Sequence, residues 1–99
     1  MEKYQNASSE VFYRREADRF AIIAIGNPSE RDARLKVLLD LLDFAQISDT
    51  SKAIMQFDVA KIYRAKGDSA NEKAHLEAAK KLCPKLVEER LKVDPFFKN

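Results

Sequence analysis

Apolar residues recur along this chain at helical spacing, and the residues that break helices fall between the stripes. Tyr13, Ala17, Phe20, Ala21 and Ala24 stand at i, i+4, i+7, i+8 and i+11, which is one face of a helix. Ile22 and Ile25 widen that face, so the second half of this helix is expected to be buried nearly all round. Ser9 is the expected cap, and Gly26-Asn27-Pro28 the stop, because glycine tolerates positive φ and proline cannot continue the ladder. The next stripe is double: Leu35, Leu38, Leu39, Leu42 and Ala45 on one side, Val37, Leu41, Phe44 and Ile47 on another. A helix with two apolar faces has neighbours on both, which predicts a central position. Its start at Ser29-Glu30-Arg31-Asp32 is close to a capping box, and Glu30 with Arg34 and Asp32 with Lys36 are favourable i, i+4 pairs.

Three further helices follow. Met55, Val59, Ile62 and Tyr63 define the third, opened from the Ser48–Ser51 loop and closed by Gly67. Ser69-Ala70-Asn71-Glu72 is a capping box for the fourth, whose stripe is Leu76, Ala79, Leu82 and Cys83. Pro84 suits the first turn of a fifth, with Leu86, Val87 and Leu91 inward and Asp94-Pro95 as its end. The predicted helices are residues 10–25, 29–47, 51–66, 70–83 and 84–93, and no segment alternates long enough for a strand. The fold class is all-α, and the 99 residues suit one domain over 1–99.

Composition narrows the function classes. Hydrophobic residues are 45% and charged residues 34% of the chain, with two glycines and three prolines; that balance is globular and helical. The polar start has no apolar signal region, and the longest apolar run, Phe20–Ile25, is far short of the ~20 residues that span a bilayer. A cytoplasmic protein is expected, with no membrane association. Residues 1–51 carry 7 basic and 9 acidic side chains and residues 52–99 carry 11 and 7. That is milder than the basic stripe of a nucleic-acid binder. One cysteine, Cys83, and one histidine, His75, exclude a disulfide frame and a cysteine- or histidine-rich metal site, so no metal and no cofactor is expected. Asp40 and Asp43 read as solvated surface, and two glycines 41 positions apart make no phosphate loop. No catalytic residue is expected and the chain does not read as an enzyme.

Residues 53–84 resemble a tetratricopeptide repeat, a pair of antiparallel helices with the pattern W-x2-L-G-x2-Y, A-x3-F and P. Val59-Ala60 stands at the Leu-Gly pair, Tyr63 at the tyrosine, Gly67-Asp68 at the turn, Leu76 and Ala79 on the second helix and Pro84 at the closing proline. Gln56 replaces the usual tryptophan and Glu72 a small packing residue. The resemblance implies a short right-handed stack of antiparallel helix hairpins of about five helices, with a groove that holds a peptide or helix of another protein. Carried onto this sequence, the groove positions are Ile54, Phe57, Asp58, Lys61, Arg64 and Ala65 of the third helix and Lys92 of the fifth. Lys61 and Arg64 would meet a ligand carboxylate, and Ile54 with Phe57 an apolar anchor. The plain alternative is that Ile54 and Phe57 pack on the second helix and Lys61 and Arg64 are a solvated strip.

The expected function is a small protein–protein interaction module: an adaptor, a chaperone-like helper or a regulator. Two alternatives stay open. One is a DNA-binding helix-turn-helix protein using Lys73, Lys80, Lys81 and Lys85, against which Glu72, Glu77, Glu88 and Glu89 are interleaved. The other is a self-assembling subunit, joined through the ends of the stack or through Phe96 and Phe97. Tyr4, Phe12 and Tyr13 are the corresponding aromatic residues at the other end.

Overall fold

The computed structural model describes residues 7–44 and 47–97. Within them the periodic segments form five α-helices and no strand: α1 (Ala7–Gly26), α2 (Arg31–Phe44), α3 (Asp49–Lys66), α4 (Ser69–Leu82) and α5 (Pro84–Val93). Short 3-10 turns occupy Pro28–Glu30 and Pro95–Phe97. The all-α class is therefore correct. Ala45 and Gln46, over which the second helix was expected to continue, lie outside the described residues, as does Tyr4.

The helix that holds the fold together is α3, not α2. It packs against α1, α2, α4 and α5, and Ala53, Ile54, Met55, Phe57, Asp58, Val59, Ala60 and Ile62 are buried around its circumference. Alanine at 53 and 60 lets backbones approach on sides that leucines would hold apart. On α2 only Leu35 and Leu38 are buried among the described side chains, and Val37 remains 41% exposed. One cluster joins α1, α2 and α3 through Tyr13, Ala17, Ala21, Ala24, Leu35, Leu38, Met55, Val59 and Ile62. A second joins α3, α4 and α5 through Phe57, Ala79 and Val87, with Leu76, Leu91 and Phe97 against them. The expected all-round burial of α1 fails at Ile22, which is 69% exposed, because only one side of α1 has neighbours.

Helix ends depart from the sequence expectations in instructive ways. The chain is already helical at Ala7, so Ser9 is no cap. Within the Ser48–Ser51 loop it is Ser48 that caps α3, its hydroxyl accepting the Ser51 N–H at 3.3 Å. Asp68 rather than Ser69 caps α4, accepting the Asn71 N–H at 3.2 Å; a carboxylate is the stronger acceptor for a helix N-terminus. Of the two expected pairs on α2, Arg34–Glu30 forms at 3.0 Å, while Asp32 pairs with Lys66 of α3. The C-terminal carbonyls of α1 are met by Arg31, which donates to Ala24 O and Ile25 O at 2.8 Å each.

That arginine clamp removes the need for a left-handed residue at Gly26, and Gly67, at φ 79°, is the only positive-φ residue of the described chain. A Cβ at either glycine would meet nothing within 4 Å, so substitution tests backbone conformation alone. Gly67→Ala should lower the unfolding free energy by about 1 kcal/mol. Gly26→Ala should raise it by roughly 0.4–1 kcal/mol. Urea melts of the two variants would check both signs.

Candidate functional site

The residues expected to line a groove come together on α3, but they do not line an open trough. Phe57 is 0%, Asp58 2% and Ile54 4% exposed, so none of the three offers a surface to a ligand in this conformation. Phe57 is enclosed by α4, α5 and the C-terminal segment together. The Phe97 ring lies on Phe57 with centroids 5.1 Å apart, and Phe96 meets Phe97 edge-on at 5.6 Å. These two rings thus fold back onto the chain itself.

Lys61 and Arg64 flank the covered phenylalanine, and neither is a solvated strip. The Lys61 Nζ lies 2.8 Å from Asp94 Oδ2, with both side chains only 17% exposed; a pair so enclosed is screened by salt less than an exposed one. Arg64 donates to Glu72 Oε2 at 3.1 Å and stacks its guanidinium over Phe97 and Phe96, 5.2 and 5.8 Å from their centroids. Glu72, which stands where a small residue was expected, turns toward Arg64 and bridges α4 to α3. Partial burial pushes the Asp94 carboxyl up, but Lys61, the Phe96 N–H and Arg90 outweigh it and hold the group below the usual carboxylate range. Lys92 stands away from this group. It is exposed and lines an open hollow of about 410 Å³ on α5 with Leu86, Glu89, Arg90 and Val93.

Beneath this layer lies a second polar feature. Burial, then a shared hydrogen bond and like charge with Asp18 of α1, drives the Asp58 carboxyl well above the usual range, against the pull of Lys61 and Arg90. Asp58 Oδ2 has no hydrogen-bond partner among the described residues. Ionisable side chains of α1 and α5 therefore act on the buried Asp58 of α3. Sequence reading included Asp58 and Lys61 but missed Asp18, Arg90 and Asp94; separations of 29 positions and more leave no periodic signal.

The other singled-out residues have structural partners. His75 Nδ1 donates to Gln56 Oε1 at 2.6 Å, and its ring stacks on Tyr63 at 5.3 Å; burial lowers its pKa, so the neutral ring is the favoured form. Gln56 at the expected tryptophan position thus ties α3 to α4 by a hydrogen bond where a large ring would have packed. The Cys83 thiol is free, with Sγ 3.7 Å from the Thr50 hydroxyl. No group of metal-binding side chains occurs among the described residues, and none of their helices is long and apolar enough to cross a membrane.

Fold and site define the protein as an all-α chain organised around one central helix, which carries a buried carboxyl and on which the C-terminal turn packs. No protein-family model, curated protein or solved structure matches it.

Proposed function

We propose that this chain is a small protein–protein interaction module, an adaptor or regulatory helper, built as a short stack of helix hairpins resembling tetratricopeptide repeats and binding a peptide or helix of another protein. In this reading α1, α3 and α5 form one layer, with α2 and α4 as their hairpin partners. The observation that carries it is the buried Asp58 on α3, whose Oδ2 has no hydrogen-bond partner among the described residues, with Lys61 one turn on held by Asp94. Stability alone gives no reason for a buried carboxyl with an unsatisfied oxygen, and an apolar side chain of similar volume would pack at least as well. Departures of this kind from a consistent core concentrate where a chain does its work. The role is non-enzymatic, and action in the cytoplasm is part of the proposal, since the lone thiol of Cys83 needs no oxidising compartment.

The test is capture from a cell extract by the full chain and by a Lys61→Glu/Arg64→Glu variant of unchanged helicity. The wild type should retain a defined set of proteins that the variant loses. An identical set rejects the reading. Heparin retention that falls steeply with salt would favour the DNA-binding alternative instead, and a mass in solution that grows with concentration would favour self-assembly.

A further inference from the structure

The α3 face is occupied by a segment of its own chain, and the manner of that occupation describes a ligand. After α5 the backbone turns at Asp94 (φ −76°, ψ 116°) and closes a single 3-10 turn over Pro95–Phe97. The backbone hydrogen bonds of this turn are local: Phe97 N–H to Asp94 O at 3.1 Å and Phe96 N–H to Asp94 Oδ1 at 2.9 Å. Among the described residues no backbone hydrogen bond joins it to α3. The contacts described between the turn and α3 are made by side chains. The Asp94 carboxylate sits on Lys61, Phe97 on Phe57, and the Arg64 guanidinium lies over both rings.

We infer that the α3 face around Lys61 and Arg64 is a recognition surface for an acidic–aromatic peptide of another protein, with a carboxylate followed within three residues by two aromatic side chains, and that Asp94–Phe97 holds this surface in cis. The inference rests on the interaction-module reading and adds the chemistry of the ligand. Three features of the surface match three features of such a peptide. Lys61 takes a carboxylate in a partly dry setting, where the ion pair is strong. Arg64 offers a flat cation to aromatic faces. Phe57 offers an apolar floor beneath the second ring. A peptide with the same side chains makes the same contacts without breaking any backbone bond between the resident turn and α3. Its only competitor is the tethered turn, whose advantage is effective concentration.

The experiment uses the full chain and a fluorescein-labelled, end-capped peptide of sequence LKVDPFF, which copies Leu91–Phe97. The proteins are the wild type, an Asp94→Ala/Phe96→Ala/Phe97→Ala variant that removes the resident contacts, and the same variant carrying Lys61→Glu. By fluorescence anisotropy the opened variant should bind saturably and at least about tenfold more tightly than the wild type, because the competent surface is no longer occupied. Lys61→Glu should abolish that gain, and a peptide with alanine for both phenylalanines should not bind. Equal affinity of wild type and opened variant overturns the inference, as does absence of binding by an opened variant with native helicity. Should the triple variant unfold, Asp94→Ala alone decides: it should bind the peptide more tightly than the wild type, and equality overturns the inference. A wild type that dimerises through exchanged C-terminal segments also overturns it, since the occupant would then be a second copy. Partner capture that depends on Lys61 and Arg64 while the peptide fails would leave the module reading standing and reject only this ligand chemistry.

Discussion

Phe57→Ala should lower the unfolding free energy by about 3–5 kcal/mol, the usual range for emptying a buried aromatic site. The ring has no exposed surface and stands where α3, α4, α5 and the C-terminal turn meet, against Ala79, Val87, Leu76, Leu91 and Phe97. These neighbours are held by their own helices and can refill only part of the space, and Phe97 loses the surface on which it rests. A domain of this size is stable by only about 5–15 kcal/mol, which places the variant near the edge of folding. Urea denaturation followed by far-ultraviolet circular dichroism would measure the loss. A cost below about 1 kcal/mol, the scale of an ordinary surface change, would show that the ring is not enclosed.

Asp58→Asn should stabilise the protein at neutral and alkaline pH. The wild-type carboxyl is raised in the fold by burial and by Asp18, so the folded chain holds a proton that the unfolded chain releases near pH 4. Where the native state binds the extra proton, stability falls as pH rises. The contribution is complete below the unfolded pKa and is lost as pH climbs through the folded one. An amide of the same shape keeps the donor toward Asp18 and never ionises. The expected gain is about 1–3 kcal/mol at pH 8, the scale of a buried polar group left unsatisfied, closing toward zero near pH 4. Asp94 is shifted the opposite way, so the difference between variant and wild type, not either curve alone, isolates Asp58. Parallel denaturation profiles of the two from pH 4 to pH 8 would reject the buried-carboxyl account.

Local signals and long-range ones had different fates. Helix content, the turn at Gly67 and the start of α5 at Pro84 were legible because each depends on residues within one or two turns. The stop of α1 was legible in place but not in mechanism: Gly26 does not use positive φ, because Arg31 reaches back seven positions to the Ala24 carbonyl. Apolar periodicity misplaced the centre of the fold. Leucines on two faces of α2 looked like the deeper signal, yet the alanines of α3 mark the closer approach of neighbours. Whether the face with Phe57, Lys61 and Arg64 is open or packed was not legible, because Asp94 and Phe97 are remote from Lys61 and Phe57 in sequence and become neighbours only when α5 folds back along α3.

By itself the sequence determined an all-helical chain with five periodic segments, their order, most of their ends to within a few residues, and the side of α3 that carries Phe57, Lys61 and Arg64. These follow from backbone propensity and from side-chain spacing on a single helix, both short-range. Only the tertiary structure decided that α3 is the centre, that Asp18 and Arg90 join Asp58, and that the C-terminal turn lies over the α3 face. Those facts depend on which helices pack together, and packing is set by the summed shape and charge of surfaces far apart along the chain.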